Sequence, residues 1–325
     1  MNTQLKRIAA YFLWKIGHYQ RLHSLQRHIY KVLCYHRFVP DGGGCIVSKK
    51  YIQESVLKHH LEFIQKHFKV YSLEDCLRYY KKNLRWPTEA ISITIDDGYE
   101  DLYHYAFPIF KEKKITATVF LVYDFIESRS WLWQDKIKYI LRDTAIKGLF
   151  NDSVFGDLLL DSYGNVLSSQ LRIYNYLIML PPDQRDEFIE MLGEKCKVRL
   201  PKESPRDYAP LSWDQVREMA NNGIKFGAHS LSHEVLTNLS AENLKIEIQE
   251  SKKLIEARLG KEVETFCYPH GMLDERVVRA VQNSGINGAV AGVGANMDYS
   301  DTYRLARMYP PGQYKSIFID SLYRY

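Results

Sequence analysis

Short apolar runs separated by helix-length amphipathic stretches recur along most of the chain, and this alternation constrains the fold more than any other feature. Residues 31–35, 90–95, 117–122, 224–228, 264–268, 287–291 and 304–309 read as strands. Helical periodicity covers residues 51–66 and 102–113, and further helices run from Ser212 to about Asn222, from Ser240 to Gly260 and from Asp274 to Gly285. Residues 70–73 look like a short strand leading into a helix capped at Ser72. Ser72 with Asp75, and Ser212 with Gln215, carry the side-chain spacing of helix N-termini, and the glycines at 223, 260 and 285 sit where helices stop. Strands alternating with helices of this length imply parallel βα units. About seven or eight such units predict an α/β fold, a distorted (β/α)7-8 barrel, whose working residues lie where strands end at the C-terminal mouth.

Residues 129–210 break the pattern. Helical stretches (133–142, 168–180 and 184–195) dominate there and strand signals are few, so the segment reads as a helical insertion within a domain spanning 31–325. Ahead of that domain, residues 1–30 form an N-terminal amphipathic helical segment with Leu5, Ile8, Phe12 and Ile16 on one face and Lys6, Arg7, Lys15 and Arg21 around it. Such a helix packs on the body or makes peripheral membrane contact. The apolar run 8–14 is cut short by Lys15 and no small-x-small cleavage site follows, so the segment is a marginal export signal.

The balance of 44 Lys+Arg against 39 Asp+Glu gives a net charge of +5, too dilute over 325 residues for nucleic-acid binding. Five cysteines with no CxxC pair argue against a disulfide framework and a thiolate zinc site, and reduced cysteines favour a cytosolic compartment.

Three strand ends carry chemistry. Thr94-Ile95-Asp96-Asp97-Gly98 places two carboxylates after an apolar strand, although the same residues also suit a turn. His229-Ser-Leu-Ser-His233 sets two imidazoles four residues apart after the strand 224–228, and two histidines with one carboxylate and an open position make a catalytic zinc arrangement. Phe266-Cys267-Tyr268-Pro269-His270-Gly271 breaks a strand at Pro and Gly beside aromatics.

In this order the three segments resemble the polysaccharide deacetylase family (carbohydrate esterase family 4, the NodB-homology domain). The first matches its Thr-Phe-Asp-Asp-Gly motif with Ile95 for Phe, and the second matches its His-Ser/Thr-x-x-His motif in full. The third is similar to the aromatic-Pro-aromatic-Gly turn of the poly-N-acetylglucosamine deacetylase branch. Cys34-Tyr35-His36-Arg37, Leu211-Ser212-Trp213 and Gly227-Ala228 add branch-like features. The resemblance covers about residues 31–128 and 208–310. It implies a divalent metal, zinc in the first instance, held by Asp97, His229 and His233, with Asp96 as general base towards the attacking water. It also implies an oxyanion-holding amide near His270. Tyr268, Pro269 and Trp213 would line the substrate groove.

Two positions depart from the pattern. Cys267 stands where the family usually has the Arg that orients the base, and Leu305-Ala306-Arg307 ends in Arg where a Leu-x-His motif supplies the general acid. The acid must then come from elsewhere, with His36 and His270 as candidates. The expected reaction is removal of N-acetyl groups from an amino-sugar glycan or lipid-linked saccharide precursor, releasing acetate. The alternatives are an O-acetyl carbohydrate esterase and a non-catalytic metal- or carbohydrate-binding homologue. The expected location is the cytoplasm or the cytoplasmic face of the membrane, with export as the alternative.

Overall fold

A computed structural model describes residues 29–43, 51–293, 299–310 and 315–323. The N-terminal amphipathic segment, apart from its last two residues, lies outside the described residues. The strands are β1 (Lys31–Tyr35), β2 (Arg37–Val39), β3 (Tyr51–Gln53), β4 (Lys69–Val70), β5 (Ala90–Ile95), β6 (Thr118–Leu121), β7 (Gly148–Asp152), β8 (Gly156–Leu159), β9 (Lys225–Ala228), β10 (Thr265–Cys267), β11 (Gly288–Val293) and β12 (Leu305–Arg307). Seven of them pair in parallel in the order β1-β5-β6-β9-β10-β11-β12, and β4 pairs with the first two residues of β5. Met308 closes the ring: Cys34 N–H donates to its carbonyl at 2.9 Å and its own N–H donates to Val32 O at 2.8 Å. The chain thus forms the distorted (β/α) barrel that its alternation predicts.

The strands read as apolar runs because both of their faces are covered. Every residue of β1 and β5 is buried. Leu33, Tyr35, Ile91, Ile93, Ile95, Val119 and Leu121 point outward into the main core under the helices. The alternate residues Val32, Ala90, Phe120, Cys267, Val290 and Leu305 fill the barrel lumen together with Leu73, Cys76 and Leu77 of the helix Leu73–Asn83, which stoppers the N-terminal end. Glu74 of that helix is buried and accepts hydrogen bonds from Thr118 and Thr265 at 2.8 and 2.9 Å. Gly227 faces the same interior, where a Cβ would stand 2.6 Å from both the Phe120 ring and Thr265 Oγ1. Continuing the inward phase of each pleat by two residues brings Asp96, His229 and Arg307 to the opposite end of the lumen.

The capping signals hold. Ser72 accepts from Asp75 N–H, Ser212 and Gln215 form a reciprocal box, Ser240 accepts from Asn243 N–H, and Asp274 accepts from Val277 N–H. Two helices expected to be continuous carry π-turns, at Leu102–Ala106 and Ile246–Glu250. The segment 129–210 carries more than the helices that its periodicity predicts. Besides the helices Trp133–Asp143, Tyr163–Leu177 and Pro182–Lys195 it contains the antiparallel hairpin β7–β8, turned through Asp152, whose carboxylate accepts from the N–H groups of Val154 and Phe155. The hairpin escapes a periodicity reading because its strands are short and Leu158-Leu159-Leu160 merges with the helical signal that follows. An apolar cluster including Ile137, Ile140, Leu158, Ile173 and Leu177 holds the segment together. Among the described residues no helix is long and apolar enough to cross a membrane.

Candidate active site

The strand ends deliver a compact cluster. Asp97 Oδ1 lies 3.5 Å from His229 Nε2 and 3.4 Å from His233 Nε2, and all three side chains are buried. Two ligands bound at ~2.0–2.1 Å to one tetrahedral ion stand about 3.3 Å apart, so the spacing fits a divalent metal. The donor chemistry fits as well. His229 Nδ1 donates to the Cys267 carbonyl at 2.7 Å, which orients the ring so that Nε2 faces Asp97 and is the nitrogen a metal would take. The three ligand atoms lie within 4.8 Å of one another. Burial opposes ionisation of Asp97, but the two imidazoles outweigh it and hold the carboxyl well below the usual carboxylate range.

The backbone is bent to achieve this. Asp97 (φ 74°), Ser230 (66°), His233 (63°) and His270 (58°) all adopt the left-handed region, four of the nine non-glycine residues that do so among the described residues. Each such residue costs about 1–3 kcal/mol, and strain of this kind collects where a site is over-determined by its surroundings.

Asp96 is gripped from β12. Arg307 donates from Nη1 to Asp96 Oδ1 at 2.6 Å and from Nη2 to Oδ2 at 2.8 Å. The same guanidinium donates to Thr94 Oγ1 at 3.2 Å, to the Ala291 carbonyl at 3.0 Å and towards Cys267 Sγ at 3.2 Å. Burial raises the Asp96 pKa, but Arg307 and then His36 outweigh it and hold the carboxyl well below its ordinary value. The two departures seen in the sequence therefore offset each other: the residue at the Leu-x-His position supplies the guanidinium that Cys267 lacks. The signal lay in the sequence as a paired loss and gain of Arg, but position alone does not show that the two meet. Cys267 itself is fully buried, which raises its thiol pKa.

The candidate acids separate. His36 Nε2 is 3.6 Å from Asp96 Oδ2, and Cys34 Sγ lies 3.6 Å from His36 Nδ1. Both nitrogens of His270 are engaged, Nδ1 with Tyr174 Oη at 2.9 Å and Nε2 with the His233 carbonyl at 3.3 Å. Burial and the neighbouring His233 push the His270 pKa well below its ordinary value. Through these two contacts His270 braces the His233 loop.

A cavity of about 790 Å³ stands over the cluster, lined by His36, Asp96, Asp97, His229, His233 and Tyr268 and roofed by residues of 134–174. Tyr268 reaches it with its hydroxyl donating to the Tyr303 carbonyl at 2.9 Å. Pro269 and Trp213 are not among the residues that line it. Trp213 instead sits over Tyr123 and donates its indole N–H to Glu127 at 2.7 Å, with Arg258 on its face. Tyr174, which holds His270, has no motif around it and was not foreseen.

A parallel barrel with two histidines and two carboxylates at its C-terminal mouth defines a deacetylase-type (β/α) barrel. The chain belongs to the polysaccharide deacetylase family, which it matches over residues 85–158 and 161–289. That match also runs through the segment 129–210, which the motifs alone left outside the resemblance. The chain is similar to YxkH of Bacillus subtilis strain 168, named for the same family, with 29% identity over 110 residues, or 33% of this chain and 39% of that relative. Its fold is similar to the Streptococcus pyogenes deacetylase PplD solved with acetate (TM-score 0.56, 15% identity, 90% of this chain and 97% of that one). It is likewise similar to IcaB from Ammonifex degensii (TM-score 0.58, 13% identity, 91% and 97%).

Proposed function

We propose that the chain hydrolyses N-acetyl groups on an amino-sugar glycan or its lipid-linked precursor, releasing acetate and a free amine. The observation that carries this reading is the Asp97–His229–His233 cluster with Asp96 fixed beside it by Arg307. Asp97, His229 and His233 would hold a divalent cation, and their one-oxygen, two-nitrogen donor set suits zinc. What the ion supplies when bound is Lewis acidity towards the acetyl carbonyl and the attacking water. Asp96 takes the proton of that water, and its bidentate partner keeps it ionised and aimed. His36, beside Asp96 in the same cavity, hands a proton to the departing nitrogen, so hydrolysis ends with acetate and a neutral or protonated amine. The Pro269–Gly271 turn stands beside the cluster, with His270 against His233, and an amide there would serve the oxyanion.

Acetate release from a panel of N- and O-acetylated saccharides, with and without chelator, tests the reading. Asp96→Asn should keep the metal and lose activity by ~10²-fold or more. A fully active Asp96→Asn enzyme, or acetate release that ignores the chelator, would overturn it. Preference for O-acetyl substrates in the same panel would replace the amide reading with an esterase.

A further inference from the structure

We propose that Tyr174, carried by the segment 129–210, is a positioning residue for the candidate metal ligand His233 and acts on it through His270, an inference that rests on the metal-dependent deacetylase reading. The two histidines of the cluster are held differently. His229 donates from Nδ1 to the Cys267 carbonyl at 2.7 Å, the kind of outer partner that orients a metal-binding imidazole. His233 has no such partner: its Nδ1 is buried and meets no hydrogen-bond acceptor or donor among the described residues. Its backbone N–H donates to Ser230 Oγ at 2.9 Å, but the residue sits in the left-handed region at φ 63°, a conformation that its surroundings must impose. The hold on the His233 carbonyl and ring therefore comes from a neighbour.

His270 supplies it. Its ring stands 4.6 Å from the His233 ring, edge to face at 68°, and its Nε2 lies 3.3 Å from the His233 carbonyl. A carbonyl only accepts, so Nε2 carries the N–H, and the ring, which burial keeps neutral, is left with Nδ1 as an acceptor. Tyr174 Oη lies 2.9 Å from that nitrogen and donates to it. The hydroxyl thus selects the tautomer that reaches the His233 carbonyl and keeps the ring from turning over. His270 needs this pin, because it too is held in the left-handed region, at φ 58°.

The pin is fixed in turn by its own segment. Trp133 stacks on Tyr174 with ring centres 5.3 Å apart and planes at 11°. Arg185 lies over Trp133 at 4.8 Å and pairs with Glu234, next to His233. Just past the helix Tyr163–Leu177, the Ile178 carbonyl accepts from Asn238 Nδ2 at 3.2 Å. From the barrel side, Glu247 accepts from the N–H groups of Leu231 and Ser232 at 2.9 and 3.0 Å. The stretch 231–238 is thus clamped between the barrel and the segment 129–210, and the Tyr174 hydroxyl is where that segment reaches the partner of a candidate ligand. Outer partners of this kind typically change metal affinity by about 10–100-fold, so the segment sets how tightly an ion is held as well as roofing the cavity.

The test titrates zinc into the metal-free full chain against a chromophoric chelator. No saccharide is present, so Tyr174 is read apart from its place in the cavity wall. Tyr174→Phe keeps the ring on Trp133 and removes the hydroxyl alone. It should raise the zinc Kd about tenfold while the metal-free Tm stays within about 4 °C of wild type. His270→Ala should raise the Kd by the same factor or more, and the double variant should bind no more weakly than His270→Ala, since the two residues act in one chain. His270→Gln, which keeps an N–H for the His233 carbonyl, should recover part of that loss. The inference is overturned if Tyr174→Phe binds zinc within about twofold of wild type, or if the two losses multiply in the double variant. Either result, with zinc binding lost in His233→Ala, would leave the metal reading of the cluster in place. Zinc binding that His233→Ala leaves unchanged would sink that reading and this inference together.

Discussion

Arg307 shows how far single residues can be read from a sequence. The candidate ligand cluster was legible because His229 and His233 stand four residues apart after an apolar run, and the family resemblance picked out Asp97 as the third member. The role of Arg307 was not, because it depends on β12 lying in the lumen across from β5, a long-range fact. Arg307→Ala leaves the Asp96 carboxylate buried and unpaired, and removing one partner of such a pair costs about 3–5 kcal/mol, measurable as a fall in denaturant midpoint. Exchanging the guanidinium gives a sharper test. Arg307→His alone should lower kcat/KM by ~10²-fold or more, and adding Cys267→Arg should recover part of it, because Cys267 Sγ already lies 3.2 Å from the Arg307 fork. A double variant no better than the single would show that the two positions are not interchangeable. Asp97→Asn should reduce bound metal by ~10-fold or more when measured by elemental analysis.

At the scale of elements, boundaries set by side-chain caps were legible and those set by packing were not. Ser72, Ser212, Ser240 and Asp274 declared their helix starts, whereas the hairpin β7–β8 and the two π-turns have no local signature. The packing of β9 against its neighbours yields a prediction. Gly227→Ala drives a methyl into Phe120 and Thr265 and should cost about 1–3 kcal/mol, seen as a lowered Tm with metal content retained. The helix Pro182–Lys195 holds the roof through Arg185, which pairs with Glu234 next to His233 and stacks on Trp133 at 4.8 Å. Arg185→Leu should raise amide exchange in 163–195 well above that of the barrel strands. Equal exchange in both would mean that the apolar cluster alone fixes the roof.

For the molecule as a whole, the buried stopper gives stability a pH dependence. Burial raises the Glu74 pKa above its ordinary 4.5 despite hydrogen bonds from Thr118 and Thr265. A carboxyl whose folded pKa is raised favours the fold while protonated, so its contribution is full below pH 4.5 and is lost as pH climbs through the folded value. Glu74→Gln keeps a neutral acceptor at the lumen floor and should stabilise the protein at pH 7 while flattening this rise in stability on acidification. Thermal melts between pH 4 and 8 check it. A variant less stable than wild type at pH 7 would show that the ionised form is the one the threonines prefer.

The closure of the ring by Met308 also dictates an order of events in time. Strands β1 and β12 are neighbours in space but stand at opposite ends of the described barrel, so the last hydrogen bonds join segments separated by nearly the whole domain. Pairings of such high contact order form late and slowly. Until they form, Asp96 lacks its Arg307 partner, and a chain still emerging from the ribosome carries Asp97, His229 and His233 before it carries the guanidinium that aims Asp96.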